Sequence, residues 1–432
     1  MNDGSDDADS RDRLPLRTDL TPIVEAVAAA DADAFVTVGD RFDDDLRYLT
    51  RFSGPDRAYA LVIVPADDAG GRAVCCAPSL FREQAEREFV ASARSRSADD
   101  GGFHDGVARE VRTERVGNHA GERAAAVIRD LLGGEDSEPT LLVPPSIPHD
   151  AAVYLERAGN ALASTNAVAR ARARKTDAEI DRLRRVQCAA VAGMARAETM
   201  LAESEVVEVE SVEDTDTERR PALRWEGAPL TTERLRRAVN ATLADRGVRD
   251  AGDTAIGAGP SAADLHYVGD DPIRPGETVL IDISPRGPDG YRGDLTRTFV
   301  VDGDGGWERR AYLAVESARE AALAEIEPGV PTKTVHGEAA AELAAYGFDP
   351  NAGEGEAGFT HGAGHGVGVS LHESPSLSGA GELRPGHVVT VEPGVYDPDV
   401  GGVRLGDLVV VTEDGYEVLA EYPFGIVPNE RE

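Results

Sequence analysis

The sequence predicts a protein of two consecutive α/β domains, and three observations carry that expectation. The chain has 432 residues, too many for one ordinary hydrophobic core. Short apolar runs of strand character alternate with longer segments whose apolar residues recur at helical spacing. Hydrophobic residues make up 41% and charged residues 29%, a globular composition, and no apolar run approaches the roughly 20 residues needed to span a bilayer.

The elements follow in order. Residues 1–17, acidic and polar, read as a disordered arm. They hold no basic segment followed by an apolar one, so no signal peptide is expected and a cytoplasmic location is. LTPIVEAVAAA reads as a helix, AFVTV at 34–38 as a strand, DLRYLTRF at 45–52 as mixed, and AYALVIVP at 58–65 and RAVCCAP as strands. LFREQAEREFVASA and GERAAAVIRDLLGG are amphipathic, and TLLVPP at 140–145 is a strand. This gives an N-terminal α/β domain over 18–165, with no Gly-rich phosphate loop and no clustered His or Cys. A long helix opens near Lys175 with an acidic first turn, as the helix dipole favours. The acidic stretch at 202–222 reads as a solvated insertion, and 230–247 as a helix with a Thr start and a Gly stop. Strands ETVLIDIS and YRGDLTRTFVV, helices at 307–326 and 332–346, and the strands HVVTVEPGVY and GVRLGDLVVV complete a second domain over 166–432. Its helices are expected on one face of an antiparallel-rich sheet.

Charge narrows the function class. There are 79 acidic and 45 basic residues, formally −34, and only two of the basic residues are lysines, Lys175 and Lys333. Such a field repels nucleic acid and anionic membranes, so neither is an expected partner. Acid excess with scarce lysine is the composition of a protein adapted to molar salt, where the Debye length falls to about 3 Å. Cys75, Cys76 and Cys188 have no metal-binding spacing, and the adjacent pair sits in a strand as small buried residues.

The second domain carries the chemistry. Asp282 interrupts an apolar strand between Ile281 and Ile283, where a carboxylate is costly to bury alone. Asp294 lies on the returning strand, and a turn near Gly290 would bring the two together, where they repel unless they share a proton or a cation. HGAGHGVGVSLHESP holds His361, His365 and His372, one third of the chain's nine histidines, among glycines that admit close backbone approach. It lacks the H-E-x-x-H arrangement of a helical zinc site. Glu392, in TVEPG, again puts a carboxylate where a core residue belongs. Two aspartates, a glutamate and a histidine suit Mn²⁺, Fe²⁺ or Co²⁺ better than a thiolate-seeking metal.

In order, HY, LIDIS…GYRGDLTRTF, HGAGHGVG…HE, TVEPGVY and GVRLGD resemble the motifs of the methionine aminopeptidase/prolidase/creatinase superfamily, peptidase family M24, over about 175–432. The resemblance implies a pita-bread catalytic fold, preceded by a creatinase/prolidase N-terminal-like domain. It assigns Asp282, Asp294, His365 and Glu392 as metal ligands, with Asp294 bridging two ions and Glu392 also the proton acceptor. His266, His361 and His372 become the histidines that bind substrate or stabilise the reacting carbonyl, and Arg404 an arginine behind the ligands. The family's last strand reads roughly GVRIED, with its glutamate a second bridging ligand; here that position is Gly406. Asp407 is the neighbouring carboxylate, but alternation points it to the opposite face unless a bulge redirects it.

The resemblance therefore implies a metallopeptidase, an exopeptidase hydrolysing Xaa-Pro bonds in the manner of a prolidase or aminopeptidase P. It would use one or two divalent ions, Mn²⁺ first and Co²⁺, Fe²⁺ or Zn²⁺ as alternatives, and work as a homodimer on peptides with proline second. Gly406 keeps open a catalytically impaired peptidase fold that binds peptides. A metal-free creatinase-type C–N hydrolase is the third reading, disfavoured by the retained aspartates.

Overall fold

A computed structural model describes residues 16–66, 70–91, 105–114, 118–133, 138–208, 221–353 and 355–431. The N-terminal arm up to residue 15 and residues 209–220 of the acidic insertion lie outside them. The chain divides into two compact units, 1–172 and 173–432. The division falls seven residues beyond 165, because the helix starting at Ala167 is tied to the first unit. Its Arg172 Nη1 lies 2.5 Å from Asp45 Oδ1, and the Tyr48 hydroxyl donates to the Ala171 carbonyl at 3.3 Å.

The first unit is built on a six-stranded mixed sheet. Its central strands are Ala34–Gly39 and Tyr59–Pro65, antiparallel neighbours, and Gly71–Pro78 pairs with the second of these. Nearly every side chain of the three is buried, as expected of strands covered on both faces. Cys75 and Cys76 sit among them as fully buried small residues. Sequence reading missed the outer strands Val107–Glu114 and Ala161–Ser164, in which most residues are charged or small. The mixed segment at 45–52 is a helix, Asp44–Thr50, capped by the Asp43 carboxylate on the Leu46 N–H at 2.7 Å.

Among its described residues the second unit pairs four α-helices with antiparallel sheets. Helix Asp177–Ala202 begins in a capping box, Thr176 and Glu179 each bonding the other's backbone N–H. It packs with Thr232–Asp245 over the sheet Ala255–Ala258, Thr278–Ile283 and Leu295–Val300. Helices Trp307–Ala324 and Thr332–Ala345 pack in the same way over the sheet that contains Val388–Val391 and Asp407–Val411.

Alternation along these strands sorts the residues. Val279, Ile281 and Ile283 face the first helix pair, so Leu280 and Asp282 face away from it. Val389 and Val391 face the second pair, so Thr390 and Glu392 face away. Val403 and Leu405 are core, so Arg404 and Gly406 are not. Thr296 and Gly406 exchange both backbone hydrogen bonds, at 3.2 and 2.9 Å, joining the last strand to the first sheet. The faces turned from both helix pairs thus share one floor. Among the described residues no helix is long and apolar enough to cross a membrane.

Candidate metal centre

That floor opens into a cavity of 440 Å³ lined by Asp282, Asp294, His365, Glu392, Arg404, His266, His361 and His372. Asp282 stands opposite Thr296 in the hairpin register, two positions from Asp294, and Gly290 supplies the positive φ of the turn between them. Thr296 Oγ1 donates to Asp282 Oδ1 at 3.2 Å. Arg404 Nη2 binds Asp282 Oδ2 directly, while its Nε lies 4.0 Å from Glu392 Oε2, too far for a hydrogen bond. Burial lowers the Arg404 pKa and the surrounding Tyr396 and carboxylates more than reverse that, so it stays charged.

His365 is placed by the backbone. Thr390 Oγ1 accepts from the His365 N–H at 3.0 Å and donates to Glu392 Oε1 at 2.9 Å. A Cβ on Gly364 would stand 2.0 Å from the Thr390 carbonyl oxygen, so only glycine lets the two segments approach this closely. His365 Nδ1 lies 3.1 Å from the Gly366 carbonyl, which makes it the protonated nitrogen and aims Nε2 at Glu392 Oε1, 3.1 Å away. Burial would lower the His365 pKa, but the hydrogen bond and charge of Glu392 raise it to about 9. Burial would likewise raise Glu392, and His365 with Arg404 hold it at about 2.

Asp294 differs from its neighbours. Gln187 grips its backbone from both sides, at 2.6 and 2.8 Å, but among the described residues no hydrogen bond reaches its carboxylate. Burial first, then the charges of Glu392 and Asp282, drive its pKa well above the carboxylate range. Asp282 is raised for the same first reason, with Arg404 opposing.

Among the described residues, two of the three partner histidines have side chains with no hydrogen-bond partner. His266 and His372 are exposed at the cavity wall, His372 with its ring 4.2 Å from that of His365 and its pKa lowered by burial and by the His365 charge. His361 is engaged on both nitrogens, Nδ1 to the Gly362 carbonyl at 2.8 Å and Nε2 to the Tyr396 hydroxyl at 2.7 Å. Burial drives its pKa to about 4, so the ring is neutral and the Tyr396 O–H donates to it. Tyr396, Thr296 and Thr390 were not foreseen as site residues. Tyr396 lies in the TVEPGVY motif itself, whereas the two threonines read as ordinary strand residues.

Asp407 is not a substitute ligand. No bulge redirects it: it pairs in register with Val391, and Arg297 Nη2 and Arg319 Nε bind its oxygens at 2.7 and 2.6 Å on the helix side. At Gly406 a Cβ would meet Glu392 Cβ at 3.1 Å and Thr296 Cβ at 3.3 Å, so the position faces the cavity floor and is crowded.

Donor chemistry fits a divalent cation: three carboxylates and an imidazole whose Nδ1–H is held by the Gly366 carbonyl, leaving Nε2 to ligate once a cation displaces its proton, with one buried carboxylate that has no hydrogen-bond partner among the described residues. Among the described residues no three such side chains converge closely enough to hold an ion as they stand. The reason is electrostatic. Arg404 draws Asp282 and His365 draws Glu392, so the site is closed on its own charges.

The model of metallopeptidase family M24 matches residues 181–413. The chain belongs to metallopeptidase family M24. It is 39% identical over 157 residues to a putative dipeptidase, YkvY, of Bacillus subtilis, covering 36% of this chain and 41% of that protein. It is 37% identical over 172 residues to an Xaa-Pro dipeptidase of Pyrococcus horikoshii, covering 39% of this chain and 47% of that one. The matches thus span a little under half the length of these relatives. In fold it resembles the prolidase of Pyrococcus horikoshii OT3, with a TM-score of 0.73 at 22% identity over 95% of this chain and 99% of that one. Zn-substituted aminopeptidase P of E. coli in complex with product aligns with a TM-score of 0.65 at 23% identity, over 87% and 85%. The M24 chain therefore has the α/β pita-bread fold expected of it, and its family implies a divalent metal.

Proposed function

We propose that this M24 chain is a metal-dependent exopeptidase that hydrolyses the Xaa-Pro bond of short peptides. The observation that carries the reading is Asp294, a buried carboxylate without a hydrogen-bond partner among the described residues, between two carboxylates already neutralised by Arg404 and His365. Of the four retained donors facing one cavity, Asp282, His365 and Glu392 are held in ion pairs, and the Asp294 carboxylate is the one whose burial a cation would compensate. Asp294, His365 and Glu392 would hold the first ion, and Asp282, steadied by Arg404, would contribute to a second. Mn²⁺ is the ion to test first. When bound, a divalent cation polarises a peptide carbonyl and acidifies water.

The chain's own groups do the rest. Glu392, ionised at neutral pH, accepts a proton from the attacking water and passes it on toward the leaving amine. His266 and His372, at the wall, donate to the carbonyl oxygen as charge develops and to the departing nitrogen. His361 holds Tyr396 in place. The first unit serves as the creatinase/prolidase N-terminal-like domain, and the assembly is a homodimer in the cytoplasm.

Gly406 supports a second reading, a peptidase fold that binds peptides without cutting them. Proline release from Ala-Pro decides between the two. Metal-stripped protein in multimolar KCl is assayed with and without added Mn²⁺, Co²⁺, Fe²⁺ or Zn²⁺. Turnover that depends on one of these ions supports the peptidase; folded protein inactive with all of them leaves the binding module.

A further inference from the structure

Gln187 is a polar residue in an apolar place. In helix Asp177–Ala202 the buried stripe is made by Leu183, Val186, Ala190 and Met194, and Gln187 stands within it, fully buried. Burying a primary amide is costly unless both its ends find partners. Both ends of this one go to the same residue: Nε2 donates to the Asp294 carbonyl at 2.6 Å, and Oε1 accepts from the Asp294 N–H at 2.8 Å. The hairpin register ends at Ile283 opposite Leu295, so Asp294 lies just outside the ladder. Gln187 supplies from a helix the exchanged pair of hydrogen bonds that a neighbouring strand would make.

We infer that Gln187 is the positioning residue that keeps the Asp294 carboxylate aimed at the metal centre. The inference rests on the metal-dependent reading above and adds a residue outside the cavity on which ion affinity depends. Asp294 has reason to turn away: its carboxylate is buried, has no hydrogen-bond partner among the described residues, and is repelled by Glu392 and Asp282. Left mobile, this end of the hairpin would relieve the repulsion by carrying the carboxylate off the floor. The clamp holds both main-chain groups of Asp294, and one residue earlier the Gly293 N–H donates to the Pro285 carbonyl at 3.0 Å. Gly293 also makes room for the clamp. A Cβ there would stand 2.9 Å from Gln187 Oε1 and 3.3 Å from the Gln187 backbone nitrogen. A carboxylate fixed before the ion arrives spares binding the cost of ordering it.

The test is Gln187→Met, which keeps the side-chain length and apolar packing and removes both hydrogen bonds. Mn²⁺ binding to metal-stripped protein in multimolar KCl is followed by the electron paramagnetic resonance signal of the free ion. The dissociation constant is expected to rise about 10–100-fold, the range for partners that orient a metal ligand. The visible bands of the Co²⁺-loaded protein should shift as the Asp294 ligand is displaced. Tyr291→Phe is the control for a merely structural role. It removes the 2.5 Å bond from the Tyr291 hydroxyl to Glu179 Oε1, which joins the same helix to the same hairpin three residues before Asp294. It should lower the melting temperature and leave ion affinity and the Co²⁺ spectrum as in the wild type. Gly293→Ala, which crowds Gln187 Oε1 without removing the amide, should weaken Mn²⁺ binding in the same direction as Gln187→Met. An unchanged dissociation constant and spectrum in folded Gln187→Met overturns the assignment and leaves the peptidase reading intact, as does an equal loss of affinity in Tyr291→Phe. If Gln187→Met does not fold, Gly293→Ala decides on the same two readouts. If the wild type binds neither ion, the metal-dependent reading itself fails and the assignment falls with it.

Discussion

Arg404 and Asp282 lie 122 residues apart and meet in a buried pair in which each offsets part of the other's cost of burial. Replacing a single member of such a pair leaves an uncompensated charge, a change that costs about 3–5 kcal/mol. Arg404→Met should therefore destabilise the second unit by that amount in urea titrations. Adding Asp282→Asn in the same chain should recover most of it, whereas purely additive losses would contradict the pairing. Glycine at 406 belongs to this scale too. It removes a side chain from the floor, and the remaining carboxylates take their compensation from Arg404 and His365.

Helix Asp44–Thr50 shows how an element is tuned by its cap. Asp43 accepts from the Leu46 N–H, yet burial, helped by Asp45 and Asp44, raises its pKa to about 6. A folded-state value above the unfolded one, near 4, means that the neutral form is favoured in the fold. Its stabilising effect is therefore complete below about pH 4 and lost as pH rises through about 6. Asn caps as well as Asp and carries no charge. Asp43→Asn should leave the melting temperature unchanged at pH 4 and raise stability by about 1–3 kcal/mol at pH 8, from one pKa unit being about 1.4 kcal/mol. A gain of equal size at both pH values would refute the charge argument. The site strands show the same dependence on local rules: in Thr278–Ile283 and Val388–Val391 the helix-facing positions are apolar, and Asp282 within the first and Glu392 just past the end of the second fall on the opposite face.

For the molecule as a whole, a formal charge of −34 means that self-repulsion opposes the compact state. Raising KCl from 0.1 to 2 M shortens the Debye length from about 10 Å to a few Å. The melting temperature should rise steeply across that range, and a flat or falling profile would refute adaptation to high salt. Most of the fold was legible at this scale because helix and strand periods are written in consecutive residues. The outer strands Val107–Glu114 and Ala161–Ser164 were not, because their few apolar residues, Val107, Val111 and Leu162, are too sparse to set an alternating period, and they are strands through pairing with the interior of the sheet.

By itself the sequence determined the two-unit α/β organisation, the order of the M24 motifs, and the residues that share the cavity: Asp282, Asp294, His365, Glu392 and the partner histidines. For the carboxylates it could do so because one in an apolar strand is costly enough to be informative wherever it occurs, and for the partner histidines because they fall in the motifs that resemble the family's. Only the tertiary structure decided how those charges are satisfied. It gave Asp282 to Arg404, Glu392 to His365, Asp407 to Arg297 and Arg319, and no partner among the described residues to the Asp294 carboxylate. It also brought Arg292 and Asp253, 39 residues apart, into the cavity wall. Partners so distant in sequence leave no local pattern, and their pairing is set by which faces the two sheets turn toward each other.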